Sequence, residues 1–96
     1  MRTYEMVVVL RGDLSDETRN EQLETIQGWV QTNGGSIGKV DHWGRRRLAY
    51  QIDNQRDGYY ALIVADLPAQ APAELERNLR ISENVVRHLI IREGDQ

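Results

Sequence analysis

The sequence predicts an α+β domain in which one four-stranded antiparallel sheet carries two helices on one face, a split βαβ sandwich. Segments rich in β-branched and aromatic residues alternate with two segments of helical periodicity, in the order βαββαβ. Clusters of glycine, proline and polar residues separate these segments. Because 96 residues suffice for only one hydrophobic core, residues 1–96 are predicted to form a single domain.

The first strand is predicted over residues 3–11, where apolar residues recur with a period of two. One face of this strand consists of Tyr4, Met6, Val8 and Leu10. The other face is also apolar, since it contains Val7 and Val9 beside Glu5. A half-solvated strand does not need a second apolar face, so we expect a partner to cover it.

The first helix is predicted over residues 15–33. Ser15 provides a hydroxyl cap, and the acidic residues of the following turn suit the helix dipole. The predicted buried stripe, with spacings of three and four, consists of Leu23, Ile26 and Val30. Gly34 and Gly35 are expected to end the helix, since glycine accepts the left-handed conformation that follows many helices.

The middle of the chain, residues 36–66, has the composition of strands. Gly44 either separates two short strands or forms a bulge in one long bent strand over residues 36–52. We favour the bulge, because no turn residues accompany this glycine. Residues 54–58 have the composition of a hairpin turn, and the next strand is predicted over residues 59–64.

A second helix is predicted to begin at Pro72, which suits a first helical turn, and to bury Leu75 and Leu79. A polar segment ends this helix, and the last strand follows over residues 85–92. Residues 94–96 are expected to fray. This order of elements folds most simply as the ferredoxin-like sandwich, in which the second face of the sheet stays open.

Composition argues against an enzyme. The chain has no cysteine and two histidines, His42 and His88, which are not at metal-ligand spacing. We therefore predict no catalytic residue, no metal and no cofactor. His42 should be an ordinary surface or half-buried residue, and His88 either covers apolar area beside a carboxylate or has no special role. No apolar run approaches the ~18 residues of a membrane span, so a soluble protein of a reducing, intracellular compartment is expected.

The charges are unevenly distributed. The net charge is −3, from 12 basic and 15 acidic residues, and 11 of the basic residues are arginine. The run Arg45 to Arg47 lies between Trp43 and Tyr50, a composition that suits either an RNA contact or a solvated strand. A second set along the second helix and last strand consists of Arg77, Arg80, Arg87 and Arg92. If the first and last strands are neighbours, Arg2 should lie near Arg92.

Two other functional classes fit the same residues. Residues 56–63 loosely match the aromatic third strand of an RNA recognition motif, which stacks bases on an open sheet. Tyr59 and Tyr60, however, point to opposite faces of a strand, so one of them should belong to the core. A homodimeric ferredoxin-like domain that senses a small ligand, or a small enzyme of this fold, would also use an open sheet.

Several short motifs occur in order along the chain. Residues 44–52 read Gly-Arg-Arg-Arg-Leu-Ala-Tyr-Gln-Ile, and the other motifs are Tyr4-Glu5, Gly58-Tyr59, Leu79-Arg80-Ile81 and Asn84-Val85. In these motifs the chain resembles the bacterial small-ribosomal-subunit protein six family, whose signature combines glycine, polar or basic positions, Leu-Ala-Tyr and isoleucine. The resemblance covers essentially all 96 residues.

The resemblance implies a ferredoxin-like fold, no catalysis, and a place in the small subunit of cytoplasmic ribosomes. It also implies binding to the central domain of 16S rRNA as a heterodimer with small-subunit ribosomal protein eighteen. We expect RNA contacts from Arg2, Arg45, Arg46, Arg47, Arg87 and Arg92. We expect contacts with the partner protein from Trp43, Tyr50 and Arg80.

Overall fold

The computed structural model describes residues 1–52 and 54–94. Its elements follow the predicted order: β1 (Arg2–Arg11), α1 (Asp16–Thr32), β2 (Ser36–Ile52), β3 (Gln55–Leu67), α2 (Ala71–Ile81) and β4 (Val85–Arg92). The predicted α+β class is therefore confirmed. Fraying was expected over residues 94–96, of which 95 and 96 lie outside the described residues.

The four strands form one antiparallel sheet in the order β2-β3-β1-β4. Strand β1 pairs with β3 from Arg2 opposite Leu67 to Arg11 opposite Gly58, and it pairs with β4 along its other side. Strands β2 and β3 form a hairpin. Both helices contribute to a single core on one face of this sheet. This is the predicted ferredoxin-like split βαβ sandwich.

The core fills the space between the helices and the sheet face that they cover. It consists of Met6, Val8, Leu10, Leu23, Ile26, Val30, Ala61, Ile63, Ala65, Leu67, Ala71, Leu75 and Leu79. The predicted stripes of both helices are thus confirmed. Burying one leucine or isoleucine side chain contributes about 1.5–3 kcal/mol relative to exposure. Within the described part of the chain no buried residue is polar or charged, so this core is purely apolar.

Helix α1 has the predicted ends. The Oγ of Ser15 accepts a hydrogen bond from the backbone N–H of Thr18 at 3.1 Å. After the last turn, the N–H of Gly35 donates to the carbonyl of Val30 at 2.9 Å, and Gly34 has a left-handed φ of 87°. Neither helix has the length and apolar character required to cross a membrane, as judged over residues 1–52 and 54–94.

Strand β2 is one long strand with a bulge at Gly44, as favoured from the sequence. The pairing register shifts between His42 and Gly44, and Gly44 has φ 89°, a conformation that suits glycine. The prediction of a turn over residues 54–58 was wrong in extent, because β3 already begins at Gln55. Asn54 adopts φ 64°, which asparagine tolerates, so the turn is tight and the next residues pair with β2.

Candidate protein and nucleic-acid interfaces

The sheet face without helices, called the open face, is largely apolar. Strand alternation places on it Val7, Val9, Trp43, Tyr60, Leu62, Val64, Leu89 and Ile91. Leu89 and Ile91 on β4 are 53% and 39% exposed. The second apolar face predicted for the first strand is therefore part of a surface that spans the whole sheet. Apolar surfaces of this extent are typical of protein-binding sites.

A shallow depression of about 250 Å³ lies in the open face where β1, β3 and β4 meet. It is lined by Val7, Val9, Tyr60, Arg87, His88 and Leu89. Arg87 was predicted to contact RNA, and the structure places it at the rim of this mainly apolar depression. Depressions of this kind commonly receive a large apolar side chain of a partner protein.

Trp43 extends the apolar surface of the open face onto β2. Its ring stacks on that of Tyr60, with centroids 6.5 Å apart and planes inclined by 17°, and it remains 41% exposed. The bulge at Gly44 switches the strand alternation, so Arg46 lies on the same face and its Nη2 donates to the Trp43 carbonyl at 3.4 Å. Tyr59 instead packs against the core, which confirms that one of the two tyrosines is a core residue.

The three consecutive arginines lie where the β2–β3 hairpin leaves the sheet. Strand β1 ends at Arg11 opposite Gly58, so the β2–β3 pair extends past β1 as a two-stranded ribbon from Arg47 and Asp57 onward. We call residues 45–52 and 54–57 the arginine hairpin. Arg45, Arg46 and Arg47 are all exposed, and Arg46 points to the opposite side from the other two, as strand alternation predicts. Leu48 is buried against the end of β1, whereas the three arginine side chains are accessible on the two sides of the hairpin.

Arg56 and Tyr50 are also exposed on the arginine hairpin. Tyr50 is 65% exposed and was predicted to contact a protein partner. Arg56 was not selected from the sequence, because residues 54–58 have the composition of a turn. The signal that could have identified Arg56 is Asn54, because asparagine suits a tight turn. A tight turn at Asn54 places Arg56 in the following strand, beside the other arginines.

Arg2 and Arg92 lie at the opposite end of the sheet. Arg92 pairs with Tyr4, and the N–H of Glu93 donates to the carbonyl of Thr3 at 2.8 Å, so the expected proximity of Arg2 and Arg92 is consistent with the register. Strand β1 has 10 residues, which at about 3.4 Å per residue separates this end from the arginine hairpin by roughly 30 Å. The six arginines predicted to bind RNA therefore do not form one cluster.

Arg80 belongs to the other side of the molecule. It is exposed on α2, where its Nη2 donates to Glu76 Oε1 at 3.5 Å. Helix α2 packs on the sheet face opposite the open face. The three residues predicted to contact a protein partner are thus distributed over the open face (Trp43), the arginine hairpin (Tyr50) and the helical layer (Arg80).

Both histidines have structural contacts. His42 Nδ1 and the Tyr59 hydroxyl are 2.8 Å apart, and the Arg19 guanidinium stacks over the Tyr59 ring at 4.2 Å. His88 Nε2 lies 2.7 Å from Glu76 Oε1 and so links β4 to α2, which decides between the two alternatives for this residue in favour of the position beside a carboxylate. This hydrogen bond is the main reason why the pKa of Glu76 lies below its ordinary value. Among the described residues no cluster of three or more ligating side chains could hold a metal ion.

Comparison with known proteins gives consistent matches. The family model described as ribosomal protein S6 matches residues 3–92. The small ribosomal subunit protein bS6 of Alkaliphilus oremlandii is 44% identical over 92 residues, which cover 96% of this chain and 97% of the relative. The bS6 protein of Salinispora arenicola is 47% identical, with 96% of both chains covered. The crystal structure of the 30S ribosomal protein S6 of Thermotoga maritima matches with a TM-score of 0.90 at 27% identity, covering 96% of this chain and 87% of that one.

These matches decide between the classes that the residues left open. The relatives are named as ribosomal proteins and not as enzymes, in agreement with the prediction of a non-catalytic chain. The solved structure has the same ferredoxin-like fold over nearly the whole chain. A protein of the small subunit is located in cytoplasmic ribosomes, and it contacts rRNA as part of that assembly. The chain therefore belongs to the ribosomal protein S6 family of the small ribosomal subunit.

Proposed function

We propose that this small-subunit protein binds the central domain of 16S rRNA as a heterodimer with small-subunit ribosomal protein eighteen. The observation that carries the proposal is that an uncovered apolar sheet face adjoins an arginine-rich hairpin on a chain of net charge −3. Apolar surface favours a protein partner, whereas clustered guanidinium groups favour phosphate. A heterodimer that assembles on RNA supplies both kinds of contact.

The open face is the proposed docking surface for the partner protein. The depression beside Leu89 and the stacked pair of Trp43 and Tyr60 bring together large apolar and aromatic side chains, and a few such side chains usually dominate binding energy. Tyr50 would extend this surface along the arginine hairpin. A contact with Arg80 requires a partner segment that passes around the β4 edge to α2.

The arginine hairpin is the proposed RNA-binding element. A guanidinium group can bind phosphate oxygens with two parallel hydrogen bonds. Arg45 and Arg47 on one side of the ribbon, with Arg46 on the other, would contact phosphates on both sides of it. Arg87 would continue this contact at the β4 edge, and Arg2 with Arg92 would form a second contact at the far end. A basic partner would add positive charge that this acidic chain lacks.

Binding with purified components tests the proposal. The chain, protein eighteen and a central-domain rRNA fragment are mixed singly and together, and complexes are measured by electrophoretic mobility shift. The expected result is joint binding that is tighter than binding of either protein alone. Absence of joint binding would contradict the proposal. Self-association of the isolated chain at micromolar concentration, measured by sedimentation, would favour the homodimeric alternative instead.

Salt dependence tests the proposed RNA contacts of the arginine hairpin. Simultaneous replacement of Arg45, Arg46 and Arg47 by alanine should lower the slope of log affinity against log salt by about 0.7–0.9 for each lost phosphate contact. Arg77→Ala is the control, because Arg77 pairs with Glu74 on α2, away from the hairpin. An unchanged slope in the triple variant would place the RNA contacts elsewhere.

A further inference from the structure

Glu5 is distinctive among the carboxylates at strand positions of the open face. In residues 1–52 and 54–94 there are three of them: Glu5, Asp41 and Asp66. Asp41 Oδ2 lies 3.8 Å from the Nζ of Lys39, and Asp66 Oδ1 accepts a hydrogen bond from Thr3 Oγ1 at 2.6 Å. The carboxylate of Glu5 makes no hydrogen bond or ion pair with any residue of that described part, and Glu5 takes part only in backbone pairing with β3 and β4.

The surroundings of Glu5 are apolar. It pairs with Val64 of β3 and Ile91 of β4, and Val7 is the next residue of β1 on the same face. Lys39 faces Val64 from β2, two strands or about 10 Å from Glu5, and is already engaged with Asp41. In the isolated chain Glu5 is half-buried, so its side chain remains accessible to water. A protein that covers the open face removes this water.

We infer that Glu5 is the ionic contact of the open face: its carboxylate accepts hydrogen bonds from a lysine or arginine of the partner, while an apolar side chain of that partner fills the depression beside Val7. The inference rests on the proposed function, in which a basic protein covers this face. Two strand positions, about 7 Å, separate Glu5 from Val7, so one segment of the partner can make both contacts.

The physical reason lies in the free energy of desolvation. A carboxylate that loses its water without gaining a cation opposes binding strongly, whereas one that gains a charge-assisted hydrogen bond does not. A partner without a cation at this position is therefore penalised, however well its apolar side chains fit. Glu5 thereby selects a basic partner, and the depression selects a large apolar side chain next to the cation.

Matched neutral variants test the role of Glu5. The dissociation constant of the heterodimer with protein eighteen is measured by isothermal titration calorimetry for the wild-type chain, Glu5→Gln and Glu21→Gln. Both variants remove one negative charge, but Glu21 is an exposed residue of α1, on the other side of the sheet. Glu5→Gln should weaken the heterodimer at least about tenfold and reduce its salt dependence. Glu21→Gln should stay within about twofold of wild type.

The outcomes separate this inference from the function on which it rests. If the wild-type chain forms no heterodimer, the proposed function fails. If the wild-type chain binds and Glu5→Gln binds as tightly as Glu21→Gln, the assignment of Glu5 is overturned. Thermal unfolding controls for folding, since a side chain without an internal partner should leave the unfolding midpoint unchanged on neutralisation.

Charge reversal provides a second measurement. Glu5→Lys should weaken the heterodimer more than Glu5→Gln does, because it places two cations together. Replacing the facing lysine or arginine of the partner by glutamate should then restore binding to Glu5→Lys but not to the wild-type chain. Failure of every basic residue of the partner to restore binding in this way would also overturn the assignment.

Discussion

The two faces of the sheet use neighbouring residues of the same strands for different purposes. On β1, Met6, Val8 and Leu10 are completely buried beneath the helices, whereas Val7 between them lines the open depression. Both sets are apolar, yet the chain has helices for only one face. Apolar area in the core therefore stabilises the fold, while apolar area on the open face is available to stabilise an assembly.

The open face itself is not uniform. Near the arginine hairpin, Val9 and Leu48 are only 2% and 7% exposed, because the hairpin residues pack over the end of β1. Toward the β4 edge, Leu89 and Ile91 remain accessible. The accessible apolar side chains therefore lie on the two outer strands, with Trp43 on β2 and with Leu89 and Ile91 on β4 beside the depression.

The largest difference between the faces should be seen on truncation of leucines. Leu10→Ala removes a fully buried side chain and should lower the free energy of unfolding by about 2–5 kcal/mol. Leu89→Ala on the open face should change it by less than about 0.5 kcal/mol in the isolated chain. Urea unfolding of both variants measures this, and equal losses would show that the open face contributes to the fold as the core does.

Alanine substitution of two glycines should give smaller losses of unfolding free energy, with different causes in the packed part of the open face and at the bulge. A Cβ at Gly58 would overlap Cγ1 of Val9, so Gly58→Ala should cost about 1–3 kcal/mol of unfolding free energy. Gly44→Ala meets open space, and its left-handed φ should cost roughly 1–2 kcal/mol. The Val9→Ala background should reduce the loss at Gly58 and leave that at Gly44 unchanged. Thermal unfolding of the single and double variants checks this, and an undiminished loss at Gly58 would exclude the overlap with Val9.

The smallest expected effect concerns acid stability on the helical side. The hydrogen bond from His88 lowers the pKa of Glu76 below its ordinary value in the folded chain. A carboxyl with a depressed folded pKa stabilises the fold above its unfolded pKa, and this stabilisation is lost as pH falls through the folded value. Glu76→Gln should therefore lose less stability than wild type as the pH falls below about 5.

Chemical denaturation at several pH values measures the effect of Glu76→Gln. Glu21→Gln is the control, because Glu21 is exposed on α1 and should leave the acid-induced loss of stability close to that of wild type. A loss in Glu76→Gln that equals the wild-type loss would show that the link between α2 and β4 contributes nothing measurable.

The sequence predicted most of the fold because local and periodic signals agreed. Ser15 and Gly34 bound α1 as expected, and the lone Gly44 without turn residues predicted the bulge. The hairpin turn was mispredicted because Asn54 and Gly58 both have turn chemistry, and composition does not show which of them turns the chain. Cross-strand pairing decided in favour of Asn54.

The candidate interfaces were less predictable. Alternation showed that Tyr59 and Tyr60 face opposite ways, but only the register with β1 shows which one faces the helices. The predicted RNA contacts Arg2 and Arg47 lie near opposite ends of the sheet. Strand β1 begins at Arg2 opposite the end of β3, whereas Arg47 pairs with Asp57 near the beginning of β3. Strand order is a long-range property, so spacing along the chain did not reveal this separation.

The amino-acid order by itself determined the elements, the core stripes and the surplus of apolar residues on both sides of the strands, since these follow from local propensity and periodicity. The tertiary structure alone decided which apolar side remains uncovered and where the arginines meet it. It also decided that the Glu5 side chain lies on that side with no hydrogen-bond or ion-pair partner among residues 1–52 and 54–94. Those properties depend on pairing between residues far apart in the chain, which no local pattern specifies.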